Sequence, residues 1–368
     1  MTIDRLPATR ATTSQEPVAV PRAERQLTQS PEQAPLELTR DIRSVLVTLP
    51  YKRSELELLQ SKLEPAQVIC CAESDAAEIE SALEHVDVAL IAGDLDGRFI
   101  DAPALKWVHC DHSGLTRSAR PEIFEKGLIV TGAAGRSAAA LAQHAFYFAL
   151  GLTYDSKALL EKQAAHAWRA IPGYEKKLGL PGKTLGIVGY GQTGREMAKL
   201  GKAFQMHVMA LNRSVIPEAA DVDVMLCSDR GDSIDPLLEQ ADVVMLATQL
   251  TDATYRMISA PQFAKMKRTA IIVNMARGEI IDEPALIDAL RSGQIAGAGL
   301  DVFAKEPLPA DSPLWDLPNV QLTPHMTPAL PDRRQKSIDM IKENVDRYRQ
   351  GRPMLNQLSA KDVFTPKG

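Results

Sequence analysis

The sequence predicts an α/β protein built from two doubly wound parallel-sheet domains with a cleft between them. Three observations lead there. At 368 residues the chain is too long for one ordinary core, given roughly 100–200 residues per domain. From residue 44 onward, short apolar runs alternate with helical stretches, the pattern of parallel strands covered by helices. An Ala-rich segment without proline divides the alternation, and a glycine-rich loop opens the second half.

Residues 1–40 are rich in Thr, Ser, Gln, Pro and Arg and carry no sustained apolar period, so a flexible arm is expected, or one that packs on a neighbouring subunit. The runs SVLVTLP, QVICCAE, VDVALIAG, LKWVHCDH and LIVTGAA read as the strands of a first, flavodoxin-like domain. Ser137 to about Leu152 reads as a helix, because Ala and Leu favour it. The domain boundary is placed there. KTLGIVGYG, HVMALN, DVVMLAT, AIIVNMA, GAGLDV and VQLTPH then supply a second sheet. The last helix, about Arg333 to Gln350, sets Ile338, Ile341, Val345 and Tyr348 on one stripe, which would carry the chain back to the first domain. The expected division is a substrate domain from residues 41–140 and 330–358, a dinucleotide-binding domain from 141–329, and a tail from 359–368.

A net charge of −5 argues against a general nucleic-acid binder, which needs a basic surface. No run approaches the roughly 18 apolar residues of a membrane span and no apolar signal core opens the chain, so a cytoplasmic protein with no membrane partner is expected. Cys70, Cys71, Cys110 and Cys227 lack metal-ligand spacing and read as reduced thiols, with a reactive role for Cys110 as the alternative. No metal site is expected.

The loop Gly189-Tyr190-Gly191-Gln192-Thr193-Gly194 follows an apolar strand and opens a helix. In that setting the glycines provide a tight turn, close backbone approach to a pyrophosphate and close helix packing, the Rossmann arrangement. The N–H groups of Gln192 and Thr193 would face the phosphates. The next strand ends in Asn212-Arg213-Ser214, where an acid would hold the adenosine ribose hydroxyls. Loss of the acid removes repulsion of a 2′-phosphate, and Arg213 and Ser214 supply charge and donors for it, so NADP(H) is favoured over NAD(H).

Arg277, Glu306 and His325 each end a separate apolar segment. A guanidinium can hold a substrate carboxylate and polarise the neighbouring carbonyl. An imidazole can protonate that oxygen as hydride arrives, and a carboxylate can orient the imidazole and stabilise its charged form, so that its removal should shift the pH optimum. Together they suit reduction of a 2-keto acid.

The ordered runs VNMARGEIIDEPALIDAL, GAGLDVFAKEPLP and LPNVQLTPH resemble those of the D-isomer-specific 2-hydroxyacid dehydrogenases, the family of glyoxylate/hydroxypyruvate reductases, over roughly residues 44–356. The resemblance implies a homodimer with Trp168 near the partner's cleft. It also implies that Asp301 contacts the nicotinamide amide, that Thr248, Thr254, Met275 and Ala276 border the cofactor, and that the loop His112-Ser113-Gly114-Leu115 binds the substrate carboxylate. Several positions depart from the family pattern: Met326-Thr327-Pro328 after His325, Gln249 for a proline, Thr116-Arg117 for an aspartate, and Gln143-His144 for Glu-His. Arg117, Arg120 and Arg136 read as solvated surface residues, with a pocket for a second anionic substrate group as the alternative. Glu306 counts against formate oxidation; phosphite oxidation and a nucleotide-sensing protein are the competing functions.

Overall fold

The computed structural model describes residues 40–169, 171–177, 179–327 and 330–366, so the expected arm lies outside the described residues except for Arg40. The first sheet contains β1 (Ser44–Val47), β2 (Gln67–Cys70), β3 (Val88–Ile91), β4 (Trp107–Cys110) and β5 (Ile129–Gly132), in the order β2-β1-β3-β4-β5. All its pairings are parallel, with Val45 opposite Val68 on one side and Val88 on the other. Every residue of β1, β3 and β4 is buried, because helices cover both faces; this is why these strands read as largely apolar runs, with Ser44 and His109 as their buried polar members.

The second sheet contains β6 (Thr184–Val188), β7 (His207–Asn212), β8 (Val224–Cys227), β9 (Val243–Leu246), β10 (Ile271–Asn274), β11 (Gly297–Leu300) and β12 (Val320–Leu322). Its order is β12-β11-β10-β9-β6-β7-β8, also all parallel. The order reverses between β6 and β9, so the loops after these strands diverge and open a crevice at the carboxyl end of the sheet. β8 is absent from the sequence-based reading. It is a four-residue edge strand, mostly half-buried, that follows Asp221 and Asp223 and so gives a weak apolar signal.

The helix Ala138–Thr153 packs on the second sheet: Ala142, Ala145, Phe146, Phe148 and Ala149 share one core with Leu185, Ile187, Val273 and Met275. The helix Arg333–Arg349 returns to the first sheet, where Ile338, Ile341, Val345 and Tyr348 are buried with Val45, Leu90 and Trp107. Each such aliphatic side chain contributes about 1.5–3 kcal/mol when fully buried, enough to fix this helix on a sheet formed some 200 residues earlier. Tyr348 also stacks on Trp107 at 5.5 Å.

Beyond that helix, Leu358 N–H donates to the Val130 carbonyl beside β5 at 2.9 Å. The expected tail is then a strap that reaches the second sheet. Asp252 N–H donates to the Val363 carbonyl at 3.1 Å, Thr365 N–H donates to Asp252 Oδ1 at 3.0 Å, and the Phe364 ring lies 5.7 Å from Tyr255. Among the described residues no helix is long and apolar enough to cross a membrane, and no group of three metal-type side chains is gathered.

Candidate active site between the two sheets

The chain leaves β10 through a clasp made by Asn274, which is fully buried. Its Oδ1 accepts from Ala276 N–H at 3.0 Å and its Nδ2 donates to the Arg277 carbonyl at 2.9 Å. Those two bonds set the turn from which Arg277 projects. The next residue must be Gly278, since a Cβ there would sit 1.9 Å from the Phe303 carbonyl carbon. That approach presses the Arg277 loop against the loop after β11. Phe303 N–H in turn donates to Glu306 Oε1 at 3.0 Å, and Glu306 Oε2 lies 2.7 Å from His325 Nδ1.

His325 has φ of +51°, the left-handed region that a non-glycine residue enters only when its surroundings impose it. The surroundings here are Asp301, buried, whose Oδ1 accepts from Thr323 Oγ1 at 2.5 Å and from Met326 N–H at 2.9 Å, pinning the chain on both sides of the imidazole. The Thr323 hydroxyl also lies 3.2 Å from His144 Nε2, and His144 Nδ1 is 3.4 Å from Thr327 Oγ1. With Nδ1 engaged by Glu306, Nε2 is the ring nitrogen left for a substrate. Half the His325 side chain is exposed, so proton exchange with solvent is open.

Arg277 crosses to the first sheet. Its Nη1 donates to the Ala276 carbonyl at 2.7 Å, and its Nη2 lies so close over Gly114 that an added Cβ would be 1.3 Å away. The loop beneath is fixed by His112 N–H donating to the Cys110 carbonyl, Ala133 N–H donating to the His112 carbonyl, Ser113 Oγ donating to the Ala133 carbonyl, and the buried Leu115 side chain. Among the described residues the N–H groups of Ser113, Gly114 and Leu115 have no partner, and the guanidinium lies directly over Gly114. An anion suits unpaired amides next to a cation. Burial lowers the Arg277 pKa from its ordinary value, while Glu279, Glu306 and Asp94 work the other way; the group stays cationic at any physiological pH.

Asp94, which the sequence-based reading passed over, faces this site. It lies 3.5 Å from His112 Nε2 and accepts from Ser118 Oγ at 2.5 Å. Burial works to raise its carboxyl, but bonds from His112 and Ser118 and the charges of His112 and Arg117 outweigh it, holding the carboxyl below its usual range. Of the arginines read as surface or pocket cations, Arg117 is exposed and Arg120 pairs with Glu122 at 3.1 Å. Arg136 fits neither reading. It is buried, bound to Asp111 at 2.7 Å and to Ser337 Oγ at 3.0 Å, because Asp111 after β4 and the returning helix enclose it.

The glycine loop can take a dinucleotide. Gly189 has φ of +98° and no room for a Cβ against Ala247 and Thr248; at Gly194 a Cβ would be 2.1 Å from the Gly189 carbonyl oxygen. Gly191 differs, because nothing lies within 4 Å of its Cβ direction. That open side faces outward at the start of the helix Gln192–Ala203, which has no side-chain cap, so its first amides are free for phosphate. Thr248 follows β9 against this loop, and Met275 and Ala276, both nearly buried, follow β10. At the end of β7, Asn212 Oδ1 accepts from Tyr190 N–H at 3.2 Å and its Nδ2 donates to the Ser214 carbonyl at 2.8 Å. Thr254 is built into its own turn: its hydroxyl donates to the Gln249 carbonyl at 2.6 Å and accepts from Thr251 N–H at 2.8 Å. Pro328 lies outside the described residues.

Residues 146–327 match the model of the NAD-binding domain of D-isomer-specific 2-hydroxyacid dehydrogenases. Glyoxylate reductase of Korarchaeum cryptofilum is 34% identical over 274 residues, 72% of this chain and 79% of that one. The chain belongs to the D-isomer-specific 2-hydroxyacid dehydrogenase family. It is therefore an NAD(P)-dependent oxidoreductase with a Rossmann-type cofactor domain. Glyoxylate/hydroxypyruvate reductase B of Citrobacter koseri is 43% identical over 172 residues, 46% of this dehydrogenase and 52% of that protein. A D-isomer-specific 2-hydroxyacid dehydrogenase from Xanthobacter autotrophicus, solved with NADPH and MES, superposes with a TM-score of 0.72 at 26% identity, covering 87% of this chain and 99% of that one.

Proposed function

We propose that this dehydrogenase reduces a 2-keto acid to a D-2-hydroxy acid with NADPH, with Arg277, Glu306 and His325 as its catalytic residues. The observation that carries the reading is the 2.7 Å contact of His325 Nδ1 with Glu306, on the side of the cleft where Arg277 meets the free amides of Ser113, Gly114 and Leu115. Arg277 and those amides bind the carboxylate, and the guanidinium polarises the keto oxygen. His325 delivers its proton from Nε2 to that oxygen, and Glu306 stabilises the imidazolium before transfer. A nicotinamide cofactor, when bound, would supply the hydride for the keto carbon. Gly189, Gly191, Gln192, Thr193 and Gly194 would hold its pyrophosphate, and Asn212, Arg213 and Ser214 the adenosine end.

Family resemblance supports a homodimer, and the Leu160 and Trp168 side chains, 64% and 88% exposed, offer it apolar surface. The decisive experiment follows nicotinamide absorbance with NADPH or NADH against glyoxylate and hydroxypyruvate, with His325→Ala in parallel. Turnover that vanishes in the variant is expected. Full activity in His325→Ala, or no turnover with any 2-keto acid despite cofactor binding, would overturn the reading.

A further inference from the structure

Arg213, at the adenosine end of the cofactor cradle, is met by the C-terminal strap. Its Nη1 donates to Asp362 Oδ1 at 3.0 Å and to the Lys361 carbonyl at 3.2 Å. The Asp362 side chain is 8% exposed and cannot drift, because its Oδ2 accepts from both Ser359 N–H at 2.8 Å and Ser359 Oγ at 2.7 Å. The strap is tied down again one residue earlier. Lys361 Nζ lies 3.1 Å from Asp229, whose own N–H donates to the Arg213 carbonyl at 2.9 Å. Among the described residues Nε and Nη2 of Arg213 have no partner.

We propose that the C-terminal strap is a part of the cofactor site, in which Asp362 and the Lys361 carbonyl position Arg213 so that its free Nε–Nη2 edge takes the 2′-phosphate of NADP(H). The inference rests on the reading of Arg213 as the phosphate partner. The carboxylate that the end of β7 lacks is thus supplied from the far end of the chain, and it acts on the arginine and not on a ribose hydroxyl. A long side chain loses rotamer freedom when it grips a ligand, and clamping one nitrogen beforehand removes part of that loss. Side-on binding through Nε and Nη2 is the bidentate mode for a phosphate, and it is the edge the strap leaves open. Asp362 offsets some of the Arg213 charge, but its second oxygen is committed to Ser359 and the arginine is 44% exposed, so solvent screens the opposition.

Asp362→Asn is the informative variant. Its amide oxygen can satisfy Ser359, which turns the NH2 toward Arg213 and opens the clamp while the turn survives. Binding is measured by calorimetry with 2′,5′-ADP and 5′-AMP, which differ in the 2′-phosphate, and then with NADP+ and NAD+. We expect 2′,5′-ADP and NADP+ to bind roughly five-fold more weakly, with 5′-AMP and NAD+ unchanged. Should the asparagine variant unfold, Ser359→Ala, which removes the hydroxyl half of the Asp362 tether and leaves the N–H half, replaces it with the same expected direction and a smaller size. Equal weakening of both ligands, or unchanged or tighter 2′,5′-ADP binding, overturns the inference. Arg213→Ala, run alongside, separates the two layers: if it leaves 2′,5′-ADP binding intact, the phosphate reading falls and the strap's role falls with it.

Discussion

Replacing Gly114 by alanine tests the substrate site through one methyl group. The added Cβ would stand 1.3 Å from Arg277 Nη2 and 2.4 Å from Cζ, whereas ordinary contact begins at 3.4 Å. The guanidinium must therefore retreat by about 2 Å, away from the amides of Ser113, Gly114 and Leu115. A displacement of about 1 Å in a positioned catalytic group can reduce rate 10²-fold, so a fall of at least about 10²-fold in kcat/KM is expected, or about 2.7 kcal/mol of transition-state stabilisation. The clash falls on the end of a side chain, so folding should survive. Steady-state kinetics with glyoxylate, calorimetric Kd for the cofactor, and Tm together read this out: kcat/KM falls while Kd and Tm hold. Gly278→Ala is the contrast, because its Cβ meets the Phe303 backbone at 1.9 Å and backbone cannot swing aside; there Tm itself should drop. Undiminished kcat/KM in Gly114→Ala would refute the assignment of Arg277 to the substrate carboxylate.

Glu306→Gln keeps an acceptor for Phe303 N–H but cannot stabilise a charged imidazole across the 2.7 Å contact; kcat should fall about 10²-fold with cofactor Kd unchanged, as stopped-flow and calorimetry would report. Gly191→Ala adds a methyl where nothing lies within 4 Å, so Tm should not move, while the occupied space should weaken NADP+ and NAD+ alike by about tenfold or more; unchanged binding would place the pyrophosphate elsewhere. Buried His109 is held neutral, its pKa pushed down to about 4 by loss of solvent, with Arg136 and His112 adding to this and Asp111 opposing it. The unfolded chain, near 6.5, binds the proton more readily, so this contribution to stability is complete above pH 6.5 and is lost as pH falls toward 4, by ~3 kcal/mol. Chemical denaturation across that window should show a shallower acid loss in His109→Gln than in the parent chain.

Apolar rhythm alone determined much of this molecule. Strands buried on both faces are near-continuous apolar runs, so β1, β3, β4, β9 and β10 stand out in the sequence, and a stripe such as Ile338, Ile341, Val345 and Tyr348 has to find a core. The glycine loop was legible for a related reason, since a turn with φ of +98° at Gly189 and a helix pressed onto its carbonyl at Gly194 tolerate few residue types. Edge strand β8 escaped because an edge is only half buried and its pattern is diluted by neighbouring acids. What tertiary structure decided is which polar groups meet. Arg136 had the composition of a surface residue and became a buried partner of Asp111; Asp94 had no motif and came to face Arg277; Asp362, 149 residues further along the chain, came to hold Arg213. Burial follows a local period that a sequence carries, whereas a charge finds its partner through the path of the whole chain, and no local pattern encodes that path.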